Sequence, residues 1–326
     1  MQIRLVTPAS GSSRGGNRVT ALRWTRILRG LGHTVAVETE YQGGRCDALI
    51  ALHARRSFAS VERFHHDYPG RALIVALTGT DLYGDLRRDA QARRSLDLAT
   101  RLVLLQPLGL EELPDTARAK TRVIYQSATP PPGRPRPDAR VFEVCVLGHL
   151  RAVKDPLRAA TAARLLPASS RVRITHVGAA LTPEMQTAAR AEAAANPRYR
   201  WLGELPRWKG LRILSRSRAL VLSSEMEGGA NVISEAVVAG VPVLASRIPG
   251  SIGLLGEAYP GYFPVGDTAA LAALLGRAET DREFYGGLRA WCAQRAPLFD
   301  PERERLAWQR LLYEAAVPMP AVESPA

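Results

Sequence analysis

Short apolar runs alternate with amphipathic stretches along the first 127 residues of the chain. Five runs rich in branched side chains have the length and composition of buried parallel strands. They are Ile3–Thr7, Thr34–Thr39, Ala48–Leu52, Ala72–Leu77 and Leu102–Leu105. Between them the spacing favours helices, as in Val19–Arg29, where Leu22, Ile27 and Leu28 lie on one side. Strands and helices alternating at this length predict a doubly wound parallel sheet, an α/β fold.

The same alternation restarts after a proline-rich segment. Five prolines stand among the eleven residues Ala128–Asp138, and such a sequence fits neither helix nor sheet, so it predicts a stiff linker. The strands predicted beyond it are Phe142–Leu147, Arg173–Val177, Ala219–Leu222 and Val241–Ala245. The predicted helices are Asp155–Leu166, Pro183–Ala195, Ala230–Ala239 and Thr268–Ala278.

Together these elements predict two Rossmann-like, doubly wound domains that face a central cleft, where a nucleotide would bind. The predicted divisions are 1–127 for the first domain, 128–140 for the linker, 141–300 for the second domain and 301–326 for a returning helix and tail. The returning helix, Glu302–Ala316, is amphipathic, and we expect it to pack on the first domain. Its apolar residues are Leu306, Trp308, Leu311 and Leu312.

The net charge of +13 comes almost entirely from arginine. Lysine occurs only at positions 120, 154 and 209, so arginine supplies 41 of the 44 basic residues. A nucleic-acid partner is one interpretation of this charge. The arginines are scattered, however, and no nucleic-acid-binding motif accompanies them, so we expect no such partner. Drift in nucleotide composition, an anionic small substrate and a membrane surface explain the surplus equally well.

Cysteines and apolar runs narrow the class of protein. Cys46, Cys145 and Cys292 are too far apart in sequence to form a metal-binding pair. They indicate reduced cysteines without a disulfide framework, and we expect a cytoplasmic protein with no metal. The N-terminus enters a strand pattern directly, without the basic and apolar regions of a signal peptide. No run of 18 apolar residues predicts a transmembrane span.

The segment after the third predicted strand of the second domain carries the most informative residues. That strand ends at Ser223 and Ser224, and the pair Gly228 and Gly229 leads into a helix beginning near Ala230. The free N–H groups at a helix N-terminus suit an anion such as a diphosphate. The glycines let a ligand approach the backbone closely.

Two glutamates flank the start of this helix. Glu227 precedes it and Glu235 lies about one and a half turns inside it. Each carboxylate can accept hydrogen bonds from a pair of hydroxyl groups on a sugar or a ribose. Two glutamates eight residues apart are also typical of a solvated helix face, so this pair alone is not specific.

The wider pattern is more specific. Ser-x-x-Glu-Gly at 224–228, Glu-x7-Glu at 227–235 and Ala-Gly-Val-Pro-Val at 239–243 together resemble the GT-B glycosyltransferases of group 1 type, most of which are retaining. The resemblance covers nearly the whole chain. It implies that Glu227 is a catalytic residue contacting the donor sugar and that Glu235 holds the ribose hydroxyls. It also implies donor contacts from Gly228, Gly229, Ala230 and Asn231.

A second element of the family pattern follows the first strand of the second domain. The family usually has Gly-Arg and then a lysine about five residues later, both on the donor diphosphate. Here Gly148 is followed by His149, with Arg151 and Lys154 further on. The resemblance implies that Lys154 and Arg151 neutralise the diphosphate and stabilise the leaving group. Gly148 and His149 are candidate donor contacts and Gly178 a weaker one; a surface-charged loop is the alternative interpretation.

The loop after the first strand is a candidate acceptor site. Arg14, Gly15, Gly16, Asn17 and Arg18 combine exposed N–H groups with flanking arginines, which predicts an anion nest. In the family, a Gly-Gly loop at this place reaches the donor phosphates and the acceptor. The fingerprint Gly-x-Gly-x-x-Gly is absent, which counts against a dehydrogenase. A flexible surface loop remains the alternative.

Two further loops complete the candidate acceptor side. His53, Arg55 and Arg56 follow the third strand, at the sheet edge where such folds bind ligands. A histidine beside two arginines can bind an anionic acceptor, although a histidine at a strand end is equally often structural. Thr78 and Gly79 end the fourth strand, where many family members carry His-Gly with the histidine at the catalytic centre. The threonine removes the usual base for activating an alcohol.

These departures resemble one branch of the family, the selenosugar synthases of selenoneine biosynthesis. The segments that carry this resemblance are Leu52–Ser57, Ala76–Tyr83 and Gly148–Pro156. The branch implies a UDP-sugar donor, UDP-N-acetylglucosamine, and selenophosphate as the nucleophile, with UDP released and a carbon–selenium bond formed. Selenophosphate arrives already ionised, so it needs cationic groups to hold it but no general base. No cofactor is implied.

Three rival functions remain open. An ordinary sugar transferase would act on a lipid or alcohol acceptor and dock on a membrane. Val19–Arg29, with Arg23, Trp24, Arg26 and Arg29, is a weak candidate for its membrane-binding helix, and we do not expect peripheral membrane contact. A UDP-sugar epimerase of the same architecture would act without an acceptor. A nucleic-acid-binding protein would be revealed by competition between DNA and UDP.

Overall fold

The structure is a computed structural model, and it describes residues 1–9, 11, 15–131, 133 and 137–316. It contains two compact units, one from Met1–Tyr125 with the chain from Glu302 onward, the other from Gln126–Pro301. The second unit begins at Gln126, ahead of the segment predicted as a linker. Four residues of the predicted linker (132 and 134–136) lie outside the described residues.

Each unit has one parallel sheet. The strands of the first are β1 (Gln2–Val6), β2 (Thr34–Glu38), β3 (Ala48–Leu52), β4 (Ala72–Leu77), β5 (Arg101–Leu104) and β6 (Thr121–Val123). Those of the second are β7 (Phe142–Leu147), β8 (Val172–Val177), β9 (Tyr199–Trp201), β10 (Ala219–Leu222), β11 (Val243–Ser246) and β12 (Tyr262–Phe263).

Helices connect the strands on both faces. In the first unit they are α1 (Gly16–Gly30), α2 (Phe58–Asp67), a π-helix (Asp81–Asp85), α3 (Leu86–Arg88), α4 (Ala90–Leu98) and α5 (Asp115–Ala119). The second unit has α6 (Arg158–Arg164), α7 (Pro183–Ala195), α8 (Arg207–Arg216), α9 (Asn231–Val238), α10 (Pro249–Leu255), α11 (Thr268–Thr280) and α12 (Arg282–Arg295). The last helix is α13 (Pro301–Ala316), and short 3-10 turns lie at Pro107–Glu112, Ala152–Lys154 and Ala296–Phe299.

The strand orders fix where each sheet can bind a ligand. The first sheet runs β2-β1-β3-β4-β5-β6 and the second β12-β11-β10-β7-β8-β9. Both are parallel throughout, and β3 and β4 are buried along their whole length, as continuous apolar runs require. The prediction of two Rossmann-like α/β domains is confirmed. The order reverses between β1 and β3 and between β7 and β10, and doubly wound sheets bind ligands at the carboxyl ends of such strands.

One predicted helix begins later than expected. Asp155–Leu166 was expected to be helical, but Asp155 adopts a left-handed conformation (φ 41°) and α6 begins at Arg158. Because Pro156 follows, its ring disfavours the right-handed helical conformation at Asp155. The carboxylate of Asp155 instead accepts a hydrogen bond from Nε of Arg158 (2.6 Å).

Helix α13 packs within the first unit. Trp308 is fully buried and meets Trp24 of α1 edge to face, with ring centroids 4.7 Å apart. The indole N–H of Trp24 donates to Oε1 of Glu304 (2.8 Å), and Arg23 pairs with the same carboxylate. Trp24 is therefore a core residue, and it cannot be the aromatic anchor that a membrane-binding helix at Val19–Arg29 would need. Among the described helices, none combines the length and apolar character needed to cross a bilayer.

Candidate functional site

The loops after β7 and β10 are joined at the point where the second sheet reverses. The hydroxyl of Ser223 donates to the carbonyl oxygen of Asp155 (2.8 Å), and the N–H of Glu225 donates to the carbonyl of Val153 (2.9 Å). These bonds bring together two loops that are about 70 residues apart in sequence. Both predicted groups of donor-binding residues therefore lie at one edge of the sheet.

Lys154 and Glu227, predicted from separate motifs, form an ion pair. Nζ of Lys154 contacts Oε1 of Glu227, and the hydroxyl of Ser224 donates to the same oxygen (2.7 Å). The carboxylate side chain of Glu227 is only 11% exposed, so its pairing occurs in a partly desolvated setting where charges interact strongly. An ammonium group has three N–H donors, so Lys154 can hold Glu227 and still bind an anion.

Helix α9 begins one residue later than predicted, with Ala230 as its N-cap residue and Asn231 as its first residue. Gly228 and Gly229 form the approach to it, and the cap makes no side-chain hydrogen bond to the first turn. The helix dipole makes such an N-terminus a favourable place for an anion. Gly228, Gly229, Ala230 and Asn231 lie at this N-terminus.

Glu235 lies on the first turns of α9 and is almost fully buried. Its Oε1 lies 2.6 Å from Nη1 of Arg207, the first residue of α8, whose side chain is about half exposed. Sequence reasoning missed Arg207, because the surrounding residues match no motif. A buried carboxylate is stable only with a partner of opposite charge.

The loop that begins at Gly148 is held by its neighbours on β8. His176 is buried, and its Nε2 donates to the carbonyl oxygen of Gly148 (3.0 Å) while Nδ1 lies 3.0 Å from the hydroxyl of Tyr199. Burial lowers the pKa of His176 to about 4, so the ring is neutral at pH 7. Nδ1 of His149 accepts a hydrogen bond from the N–H of Ala179 (3.1 Å).

Packing alone explains why one of the candidate residues, Gly178, is a glycine, with no need for a bound ligand. A Cβ at Gly178 would lie 1.9 Å from the carbonyl oxygen of Gly148, so only glycine fits there. A Cβ at Gly148 would meet no described atom within 4 Å, so Gly148 borders open space. The guanidinium of Arg151 makes no hydrogen bond or ion pair with the described part of the chain, and it is half-buried.

An open cavity of about 450 Å³ adjoins this loop within the second unit. One of its lining residues is Trp201, whose indole N–H donates to the carbonyl oxygen of Gly178 (2.8 Å). The remaining lining residues are Ala179, Ala180, Leu181, Thr182, Pro183, Gln186, Gly203 and Glu204. The cavity therefore lies beside the carboxyl ends of β8 and β9.

The predicted anion nest in the first unit has a different form. Gly15 is the extended N-cap residue of α1, and Gly16, Asn17 and Arg18 form its first turn. A nest needs alternating right- and left-handed residues, and neither glycine has a positive φ. The arrangement is a helix N-terminus instead, which keeps N–H groups available. Arg14 lies outside the described residues.

Aspartates surround the predicted cationic loop after β3. Arg55 pairs with Asp85 (3.5 Å) and with Asp89 (3.0 Å). His53 is buried in a left-handed conformation (φ 75°), with Nε2 3.1 Å from the hydroxyl oxygen of Thr80. The charge of Arg55 is thus compensated inside the unit, and His53 is in large part structural. Arg56 is exposed, and its guanidinium has no hydrogen bond or ion pair with described residues.

The loop after β4, which begins with Thr78 and Gly79, is held by the buried carboxylate of Asp81. Oδ1 of the fully buried Asp81 accepts the N–H groups of Thr78 and Gly79 (both 2.8 Å), and Oδ2 accepts that of Ala54 (2.9 Å). Gly79 has φ 137°, which favours glycine. Asp81 lies four residues after the end of β4, and its carboxylate holds the backbone of the intervening turn.

The comparisons with known proteins agree with this architecture. Three solved structures similar to the chain are Anabaena HepE in complex with UDP-glucose (TM-score 0.77, 16% identity, 95% of this chain and 99% of that chain), sucrose-phosphate synthase from Thermosynechococcus elongatus (0.75, 15%, 96% and 98%) and a glycosyltransferase from Rickettsia africae (0.69, 13%, 96% and 98%). At these identities the likeness shows the GT-B fold. A search of curated proteins finds no match.

The family comparison covers most of the second unit. The profile described as "Glycosyl transferases group 1" matches residues 135–297, which is half of the 326 residues. This range contains the joined loops, the Lys154–Glu227 pair and the buried Glu235. The chain belongs to the group 1 glycosyltransferases.

Proposed function

We propose that the chain transfers the sugar of UDP-N-acetylglucosamine to selenophosphate. Selenium attacks the anomeric carbon, the bond from that carbon to the diphosphate oxygen breaks, and UDP leaves with the electron pair. The first product is then a selenosugar that still carries the phosphoryl group on selenium. Hydrolysis of the phosphorus–selenium bond by water would release phosphate and the free selenosugar.

The observation that best supports the donor-binding part of the proposal is the Lys154–Glu227 ion pair, which lies where the strand order of the second sheet reverses. Lys154 and Arg151 would neutralise the diphosphate, and the N-terminus of α9 would contribute N–H groups to it. Glu227 would accept hydrogen bonds from sugar hydroxyls and Glu235 from the ribose. The assignment of UDP is supported by Anabaena HepE, which has the same fold and was solved with UDP-glucose.

The cavity beside β8 and β9 would accommodate the nucleobase on the same unit. It adjoins Gly178, and the chain leads from its lining residue Glu204 to Arg207, the partner of Glu235, within three residues. A base in the cavity and a ribose at Glu235 would lie on neighbouring loops. Its walls combine apolar side chains with backbone groups, as nucleotide sites do.

The acceptor half rests on chemistry in the first unit. Thr78 has no ionisable side chain, and His53 is buried against Thr80, so neither offers an accessible base. A nucleophile that is ionised on arrival needs none. Arg56 and Arg18, together with the N-terminus of α1, would hold its charge. Arg55 contributes less, since Asp85 and Asp89 already compensate it.

Mass spectrometry of reaction products tests the proposal. The protein is incubated with UDP-N-acetylglucosamine, with and without selenophosphate, and with phosphate or thiophosphate as controls. We expect UDP and a selenium-containing sugar only when selenophosphate is present. UDP release that requires a lipid or alcohol instead would keep the glycosyltransferase and overturn the selenosugar assignment. UDP release or donor isomerisation without an acceptor would indicate an epimerase-like enzyme.

A further inference from the structure

Ser224 contacts the carboxylate that the proposed function places on the donor sugar. Its hydroxyl donates to Oε1 of Glu227 over 2.7 Å, and Ser224 is almost completely buried. Lys154 contacts the same oxygen. One oxygen of the carboxylate is therefore engaged by two protein groups, and Oε2 is the oxygen that remains for a ligand.

Ser224 is itself held from the neighbouring strand. The buried hydroxyl of Ser246, the last residue of β11, donates to the carbonyl oxygen of Ser224 (2.5 Å). The start of α10 packs on Glu227 from the other side, because a Cβ at Gly250 would lie 2.0 Å from the carbonyl oxygen of Glu227. Both the side chain and the backbone of Glu227 are thus fixed by residues outside its own loop.

The adjacent serine has a different partner. The hydroxyl of Ser223 donates to the carbonyl oxygen of Asp155 (2.8 Å) and lies 3.2 Å from that of Lys154, so it connects backbones and does not touch the carboxylate. The two neighbouring serines therefore have different partners: Ser223 joins the loops, and Ser224 contacts the carboxylate of Glu227. A hydroxyl has one proton to donate, and that of Ser224 goes to Oε1.

We propose that Ser224 is a positioning residue that holds the Glu227 carboxylate in one rotamer and directs Oε2 towards the donor sugar. This inference rests on the proposed function. Without the hydroxyl, the carboxylate keeps its lysine partner but loses the second bond that fixes its rotation. The consequence falls on the sugar, because UDP alone has no group that needs Oε2.

The test compares Ser224→Ala with Ser217→Ala. Ser217 is a buried serine of the same unit whose hydroxyl donates to the carbonyl oxygen of Ile213 (2.8 Å), away from the joined loops. We expect Ser224→Ala to lower kcat/KM for the UDP-sugar by about 10- to 100-fold, the range for a hydrogen bond to a charged group. Its affinity for UDP, measured by calorimetry, should change less than about threefold. Ser217→Ala should leave both values unchanged.

A double-mutant cycle separates positioning from a structural role. In a Glu227→Gln background, Ser224→Ala should cause little further loss, because the group it positions is already impaired. Additive losses, or an equal fall in UDP and UDP-sugar binding, would overturn the inference. Ser224→Cys keeps nearly the same volume with a much weaker donor, so it should show the same loss even if the alanine variant does not fold. If Glu227→Gln itself left turnover intact, the proposed function would be at fault and not the role of Ser224.

Discussion

Nη1 of Arg207, at the exposed start of α8, lies 2.6 Å from Oε1 of Glu235 on α9, so the start of one helix supplies the cation for a buried carboxylate on the next helix along the chain. Glu235 is 6% exposed at its side chain and Arg207 49%. Burying a carboxylate is costly unless a group of opposite charge compensates it, and Arg207 lies in contact with it. Arg207 and Glu235 therefore act as one unit in any ligand binding that uses Glu235.

Removing Glu235 should weaken UDP binding. Glu235→Ala should cost about 1–3 kcal/mol of UDP binding free energy, since hydrogen bonds from the ribose to a charged group are lost. Isothermal titration calorimetry with UDP and with 2′-deoxy-UDP measures this. The deoxy nucleotide should lose less on mutation. Equal affinity of the variant and the parent protein for UDP would contradict the ribose assignment.

Arg207→Ala should weaken UDP binding in the same direction, by about 1 kcal/mol, because solvent screens part of a half-exposed charge. Arg212→Ala is the matched control, as Arg212 is an exposed arginine of the same helix. It should bind UDP like the parent protein. If both arginine variants lost affinity equally, general attraction of the anion, and not the pair with Glu235, would be the cause.

Lys154→Ala and Arg151→Ala should reduce turnover more than they reduce binding of uridine. Both residues are assigned to the diphosphate, which uridine lacks, and loss of one such stabilising group typically costs about 10²–10³ in rate. Steady-state kinetics and uridine titration measure the two effects. A parallel loss of uridine binding would show that the variants disturb the joined loops, since the carbonyl oxygen of Lys154 lies close to Ser223.

The sequence predicted the longer strands well and missed three short edge strands. Ala48–Leu52 and Ala72–Leu77 match the structure residue for residue, because a continuous apolar run has few alternatives inside a parallel sheet. The edge strands β6, β9 and β12 have three residues or fewer, too few to form a periodic pattern. The strand predicted from Val241 begins at Val243, beyond Pro242, whose nitrogen cannot donate to a ladder.

Site residues were predictable where a motif placed them on one loop. Glu227 and Lys154 came from separate motifs, and their pairing could be inferred only from the parallel order of β7 and β10. Arg207 and Ser246 were not predictable, because each acts across a tertiary contact with no local signal. The burial of Trp24 was not predicted, since its partner Trp308 is more than 280 residues away in sequence.

The indole pair should dominate the stability of the first unit. Trp308→Ala should lower the free energy of unfolding by about 3–5 kcal/mol, the cost of deleting a large buried aromatic side chain. Tyr313→Ala on the same helix should cost less than about 0.5 kcal/mol, because Tyr313 is 75% exposed. Urea unfolding monitored by circular dichroism compares them. Similar losses for both variants would show that α13 is not anchored through Trp308.

His176 should make the second unit less stable in acid. Burial lowers its pKa to about 4 from an ordinary value near 6.5, so between these two pH values His176 is protonated in the unfolded chain and neutral in the folded one. The contribution of His176 is therefore fully present above pH 6.5 and is lost as the pH falls towards 4, by up to about 3 kcal/mol. Unfolding free energies at pH 7, 6 and 5 should fall less steeply for His176→Asn. Parallel curves for variant and parent protein would contradict this.

The acceptor side is tested by two neighbouring arginines with opposite surroundings. Arg56 is exposed, whereas Arg55 pairs with Asp85 and Asp89, and Asp89 caps α4 by accepting the N–H of Ala92 (2.9 Å). That hydrogen bond, with Arg55 adding to it, lowers the pKa of Asp89. Arg56→Ala should raise the KM for selenophosphate about two- to fivefold with donor binding intact, as expected for one solvated charge pair.

Arg55→Ala should mainly lower the stability of the protein, because Asp85 and Asp89 lose their cationic partner. It should change the KM for selenophosphate little, because the charge of Arg55 is already compensated by these aspartates. The measurement is initial-rate kinetics with UDP-N-acetylglucosamine held constant and selenophosphate varied, together with thermal unfolding of both variants. Thr78→Ala belongs in the same series and should change the rate little, because Asp81 is bound by the backbone N–H of Thr78. A nucleophile that is already ionised also needs no proton transfer to the threonine hydroxyl. An increase in KM for Arg55→Ala alone, with Arg56→Ala unaffected, would place the anion among the aspartates and overturn the assignment of the acceptor side.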